Sequence, residues 1–132
     1  MSNAELDNLK YPVGKYSQAE EITKSVLEKW ISELSDFPVS MENLILKLSQ
    51  EQLEWPYRPG GWNIRQVVHH CADSHMNSLI RFKLALTEEN PVIKPYEEQL
   101  WAELPDYQSP LRFAKHSQRY ALPLGCIIEK FK

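Results

Sequence analysis

The sequence has little of what secreted, membrane and nucleic-acid-binding proteins carry in quantity. Of its 132 residues only two are cysteine, Cys71 and Cys126, far apart and without a C-x-x-C. That excludes a disulfide framework and a cysteine-built zinc site, and predicts free thiols in a reducing compartment. No apolar run approaches the roughly 20 residues that a membrane span needs. The opening MSNAELDNLKYP also lacks the apolar centre of a signal peptide, so a cytoplasmic protein is expected, without membrane contact. Positive charge has no excess: 15 basic against 18 acidic residues, well interspersed, give a net charge of −3. Nucleic acid is therefore excluded as the default partner, which leaves a small molecule or another protein. Strand-like alternation, internal repeats and low-complexity stretches are absent too, which points to an all-α class.

What is present suits one helical domain over residues 1–132, a length that allows one real core. After an extended arm around Pro12 and Gly14, apolar residues recur at Ile22, Val26, Trp30 and Leu34, with Leu27 and Ile31 beside them, a helical spacing. Pro38 kinks or ends that helix, because proline lacks the backbone donor and crowds the preceding turn. Met41, Leu44, Ile45 and Leu48 resume the pattern toward Pro56, so the two pieces read as one bent helix or two. RPGGW is a turn, and behind it Asn63 and Gln66 form a capping box that opens a long helix running to about Glu89, before Pro91. The segment KPYEEQLWAELPDYQ reads as a loop with a short helical turn. SPLRFAKHSQRYAL opens a further helix that Pro123 stops.

The long helix carries the residues that could do chemistry. At 3.6 residues per turn, Gln66, His70, Asp73, Ser74, Asn77 and Arg81 share one face. Val68, Cys71, Ala72, Leu79, Phe82 and Leu86 form the opposite, apolar arc. His75 points toward that arc, as a core histidine donating to a carbonyl or side chain would; His69 lies at a border. His70 is centred among polar neighbours, which fits a metal or catalytic role and equally a solvated face. No H-x-x-x-H or H-E-x-x-H accompanies it, so one helix alone does not clamp a metal. Cys71 follows His70, but their side chains diverge by about 100°, which argues against a Cys–His pair. PGG lacks the Lys and Ser/Thr of a P-loop, and no G-x-S-x-G elbow occurs. The four tryptophans read as packing residues, with Trp62 placed to staple the turn onto the long helix.

Residues 56–104, PYRPGGWNIRQVVHHCADSHMNSLIRFKLALTEENPVIKPYEEQLWAEL, resemble the DinB/YfiT-like superfamily, in its YfiT branch of metal-dependent hydrolases. LKYPVGKY near the start fits the same branch, and the resemblance covers roughly residues 9–108. It implies an up-down-down-up four-helix bundle and a divalent metal, zinc or nickel, held by three histidines. The first of these is the second member of the HH pair, here His70. Asp73, Asn77 and Arg81 are then expected to line the pocket and orient substrate or bound water. The implied activity is hydrolysis with a metal-activated water or thiol as nucleophile. The alternative within the superfamily is a metal-dependent S-transferase of the bacillithiol type, whose partner is a low-molecular-weight thiol.

The other two ligands belong, in the superfamily, to an H-x-x-x-H pair on the last helix. This sequence has no such pair: the match fades after residue 108, and beyond it only His116 is available. Against such relatives the chain reads as C-terminally truncated or altered by about 40 residues, one helix and its connection. A shifted reading frame near residues 112–116 is one origin. Weak metal binding or none follows. With net stabilities of only about 5–15 kcal/mol, an uncovered apolar stripe is costly, and a homodimer that covers it is expected. A catalytically silent helical module or a truncated remnant are the further readings.

Overall fold

The computed structural model describes residues 2–111. Helices account for all the regular structure there, as the sequence predicts; no strand is formed among the described residues, and one isolated bridge joins Pro56 to Asn63.

Helix α1, Asn3–Lys10, has no counterpart in the sequence reading. Its start is a capping box: Ser2 Oγ accepts from the Glu5 amide at 3.3 Å, and the Glu5 carboxylate accepts from the Ser2 amide at 2.6 Å. After the extended arm, α2 spans Lys24–Ile45 under an N-cap from Thr23. It is one helix through Pro38 rather than two pieces. Proline in a helix interior forfeits a backbone hydrogen bond and costs about 3 kcal/mol. Here Pro38 is fully buried, and Phe37 beside it stacks on His75 with ring centroids 5.0 Å apart, so packing offsets the cost at the point where α2 meets the next long helix. The helical pattern does not continue unbroken to Pro56: the chain turns at 46–48, and Ser49 and Gln52 cap a separate short helix, α3, Gln50–Leu53.

Residues 55–64 form the expected tight turn, closed by Tyr57 N–H to the Trp62 carbonyl at 3.2 Å and Ile64 N–H to the Trp55 carbonyl at 3.1 Å. Gly60 sits at φ +66°, in the left-handed region that glycine adopts without steric cost. A Cβ on Gly61 would stand 2.7 Å from Arg58 Cγ. Both glycines therefore have a reason to be there. The turn delivers α4, Ile64–Thr87, with the capping box in place: Asn63 Oδ1 accepts from the Gln66 amide at 2.8 Å, and Gln66 Oε1 accepts from the Asn63 amide at 3.0 Å.

Past α4 the chain folds back over it through α5, Glu98–Trp101, and a 3-10 turn, Pro105–Gln108. The core lies at this return, where Leu53, Val68, Ala102 and Tyr107 are buried together with Arg65. Arg65 is 7% exposed. Its guanidinium reaches Glu54 Oε1 at 2.7 Å, Gln50 Oε1 at 3.0 Å and the Ser109 carbonyl at 3.5 Å, tying α3, α4 and the returning chain in one knot. A buried charge is tolerated when it is paired and hydrogen-bonded in this way.

Candidate functional site

His70 lies one turn and a half into α4, on the side where the returning chain crosses. Its ring packs against Trp62 at 4.9 Å and stands 6.5 Å from Tyr96, which in turn packs against Trp101 at 4.5 Å. The turn contributes Trp62 and the segment before α5 contributes Tyr96 to a box around the imidazole, with Trp101 of α5 backing Tyr96. Trp62 is fixed from both ends: its ring lies on His70, and its Nε1 donates to Gln99 Oε1 at 2.9 Å. Gln66, one turn before His70, donates from Nε2 to the Ala102 carbonyl at 2.9 Å and holds α5 in place. Within this box His70 Nδ1 is buried and forms no hydrogen bond among the described residues. Buried polar atoms are nearly always satisfied; His70 Nδ1 and, on the same helix, His75 Nε2 are exceptions among the described residues, and of the two only His70 stands in this aromatic box.

The other two histidines of the cluster are accounted for differently. His75 donates from Nδ1 to the Cys71 carbonyl, one turn back on the same helix, at 2.8 Å and stacks on Phe37. That is the structural role its apolar position predicts. His69 stacks on Tyr107 at 5.1 Å and donates to the Ser109 carbonyl at 3.3 Å. Burial pushes the Cys71 thiol up to about 11, leaving little thiolate at neutral pH, so it is no nucleophile beside His70.

The expected pocket residues separate along α4. Asp73 accepts from the Tyr107 hydroxyl at 2.5 Å and does not line the cavity described next. Asn77 donates to the Asp73 backbone carbonyl at 2.9 Å. Asn77 and Arg81 both line a cavity of 690 Å³ between the second half of α4, the segment 92–97 and α5. Tyr96 and Trp101 belong to its wall, and Tyr96 stands between the cavity and the His70 ring, which does not itself line it. Burial, then the charges of Glu98 and Asp73, raise the Tyr96 phenol above its ordinary range; the Arg81 charge acts the other way. Tyr96 and Tyr107 are not singled out by the sequence, and Trp101 reads there as a packing residue. The aromatics of KPYEEQLW and PDYQ were the available signal, but nothing in a loop's spacing says which helix it will cross.

A scan against family models matches residues 33–122 to the DinB superfamily. The chain belongs to the DinB superfamily. Two proteins, each named "Putative metal-dependent hydrolase", from Bacillus mycoides and Bacillus cereus, are both 54% identical to it over 106 residues, 80% of this chain and 61% of theirs. The chain thus spans about three fifths of the length of the curated relatives it matches. Among solved structures, YfiT from Bacillus subtilis superposes with a TM-score of 0.89 at 42% identity, over 95% of this chain and 73% of that one. YfiT is described as "a probable metal-dependent hydrolase with an unusual four-helix bundle topology". The DinB chain therefore has the all-α fold of the YfiT bundle.

Whether its residues suit a metal is a separate question. Among the described residues no three His, Cys, Asp or Glu side chains are grouped to hold an ion. His70 is a single donor, and its companions are not among Asp73, which is engaged by Tyr107, or His69 and His75, which are bonded to carbonyls. His116, the other histidine available, lies outside the described residues, as do Cys126 and the helix expected after Ser109. The described part of the DinB chain does not fit a three-histidine centre. No helix among these residues is long and apolar enough to cross a membrane.

Proposed function

We propose that this chain carries the substrate side and one metal donor of a metal-dependent hydrolase site. The observation that carries the reading is His70 Nδ1, buried, without a hydrogen bond among the described residues, boxed by Trp62 and Tyr96, and separated by the Tyr96 ring from a cavity of small-molecule size. A divalent metal such as zinc or nickel, if His70 held it together with donors from outside the described residues, would supply Lewis-acid activation of the nucleophile at neutral pH. The chain's own contribution is positional. Trp62, held by Gln99, fixes the imidazole plane, while Tyr96 and Trp101 exclude water from the edge that faces the cavity. Asn77 and Arg81 are the polar groups of α4 that a substrate in this cavity would meet. The similarity to proteins named as metal-dependent hydrolases supports the activity, and the 61% coverage of their length makes it a reading of the site rather than of the whole relatives.

The test is a zinc titration of the full chain in competition with a chromophoric chelator, beside His70→Ala. Weak binding that His70→Ala reduces by more than about 10-fold is expected, the scale on which perturbing a donor's surroundings already acts. Zinc bound equally well by both proteins would remove His70 from the site. An ester-hydrolysis assay of the zinc-loaded protein, with and without added thiol, distinguishes the chemistry: turnover that depends on the thiol assigns S-transfer in place of hydrolysis.

A further inference from the structure

The 690 Å³ cavity is lined by apolar side chains and two cations, and neither cation forms an ion pair among the described residues. Ile80, Leu84, Val92, Ile93, Leu100 and Leu104 are its aliphatic lining, and all but Leu84 are also open to solvent. Arg81 rises into it from α4 and Lys94 lies on the segment that covers it. Neither forms a hydrogen bond or an ion pair with another described residue, and of the two Arg81 is partly buried while Lys94 is exposed. Glu97 is the acidic side chain in the wall, and it is bonded to neither cation.

A half-buried guanidinium is costly to leave unpaired. Its planar fork of donors matches a carboxylate in bidentate fashion, and a second cation in the lining of the same cavity adds to the preference for an anion. The apolar wall, meanwhile, favours a hydrocarbon or aromatic body rather than a sugar or a nucleotide. We infer that the cavity binds an organic carboxylate with an apolar body, its anionic end paired with Arg81 and Lys94 and its apolar part lying along Ile80, Leu84 and Leu100 toward Trp101. The inference names the substrate class for the site proposed above and rests on that reading.

The spacing adds a length requirement. Arg81 follows His70 by three helical turns, roughly 16 Å along the axis at 1.5 Å per residue. Side chains on a helix lean back toward its N-terminus, which brings the guanidinium closer to His70 by part of that span. The ligand's reacting bond therefore lies remote from its carboxylate, at the other end of the apolar body. An amino acid or a short hydroxy acid, with its functional groups adjacent, does not satisfy both ends.

The experiment is a ligand-observed NMR titration of the full chain with 4-phenylbutyrate and with its uncharged analogue, 4-phenylbutyramide. It is run once with a chelator present and once with zinc. The acid is expected to bind at least tenfold more tightly than the amide with the chelator present. Arg81→Gln should erase that preference and Lys94→Gln should reduce it; the amide's affinity should move little in either variant. Circular dichroism verifies that Arg81→Gln is folded, and Lys94→Gln, in an exposed connecting segment, gives a reading that does not depend on the helix. Equal affinity for acid and amide, or an acid preference that survives Arg81→Gln, would overturn the inference. Acid binding that appears only with zinc would overturn it too, since the carboxylate would then be docking on the metal. Because the decisive arm contains no metal, failure of the zinc titration described above leaves this result standing, and the converse.

Discussion

Tyr107 shows how much one side chain can fix. It is 1% exposed, donates to Asp73 at 2.5 Å and carries the His69 ring on its face, so a single residue of the returning chain anchors to two positions of α4. Burial, then the hydrogen bond and charge of Asp73, push its phenol far above the ordinary range. A raised pKa in the folded state means that folding favours the neutral phenol. The stabilisation is fully present below the unfolded value near 10 and is lost as pH climbs above it, at up to about 1.4 kcal/mol per pH unit. Tyr107→Phe is accordingly expected to lower stability at pH 7 by about 2 kcal/mol, the value of a hydrogen bond to a charged group. Between pH 10 and about 12 its stability should fall less steeply than that of the unmodified chain. Urea denaturation across that range checks both; parallel curves would show that Tyr107 does not govern the alkaline limb. The pair was illegible in the sequence, because Tyr107 and Asp73 are 34 residues apart with an aperiodic loop between them. His75 was legible, since its carbonyl partner is one turn away on its own helix.

Among the elements, α4 was predicted almost to the residue because its signals are local: a capping box at Asn63, a helical period, and a proline beyond its end. The structure gives the cap a second task. Asn63 Nδ2 donates to Glu54 Oε2 at 2.9 Å while Glu54 Oε1 holds Arg65, so the start of α4, the end of α3 and the buried guanidinium form one network. Asn63→Ala is expected to cost about 1–2 kcal/mol, at the upper end for a cap, whereas Asn63→Ser, which keeps the acceptor for Gln66, should cost less. Thermal unfolding of the two variants decides it: equal losses would assign the cost to the Glu54 contact alone. The same box at Ser2 and Glu5 opens α1, but no apolar period follows it to mark a helix in the sequence. A helix of 8 residues has little intrinsic stability to announce itself. The continuity of α2 was undecidable from Pro38 itself, because whether a proline breaks a helix or bends through it depends on the packing that receives it. Here that packing is the seat beside Phe37 and His75.

At the scale of the molecule, these contacts divide the described residues into parts of unequal solidity. The first half of α4 is held by α3 through Arg65 and by the returning chain through Gln66, Asp73 and Trp62, and it adjoins nearly all of the buried side chains. Helix α2 is attached through Phe37 and Pro38, while its Leu27, Trp30, Val39 and Leu44 are exposed. Helix α1 exposes nearly every side chain described on it. Local opening costs least where few apolar contacts are broken, so amide exchange should rank the elements in that order. The amides of residues 68–76 in α4 should exchange slowest, those of α2 faster and those of α1 fastest. The residues after Pro38 are expected to be better protected than the first turns of α2, which lie far from the Phe37–His75 contact. Hydrogen exchange followed by mass spectrometry on the native chain measures this directly. If α2 exchanged as slowly as the first half of α4, its exposed apolar face would have to be covered in solution. If α4 exchanged as fast as α1, the knot around Arg65 and Tyr107 would not be the stable centre of the fold, and the box that holds His70 would have no rigid support.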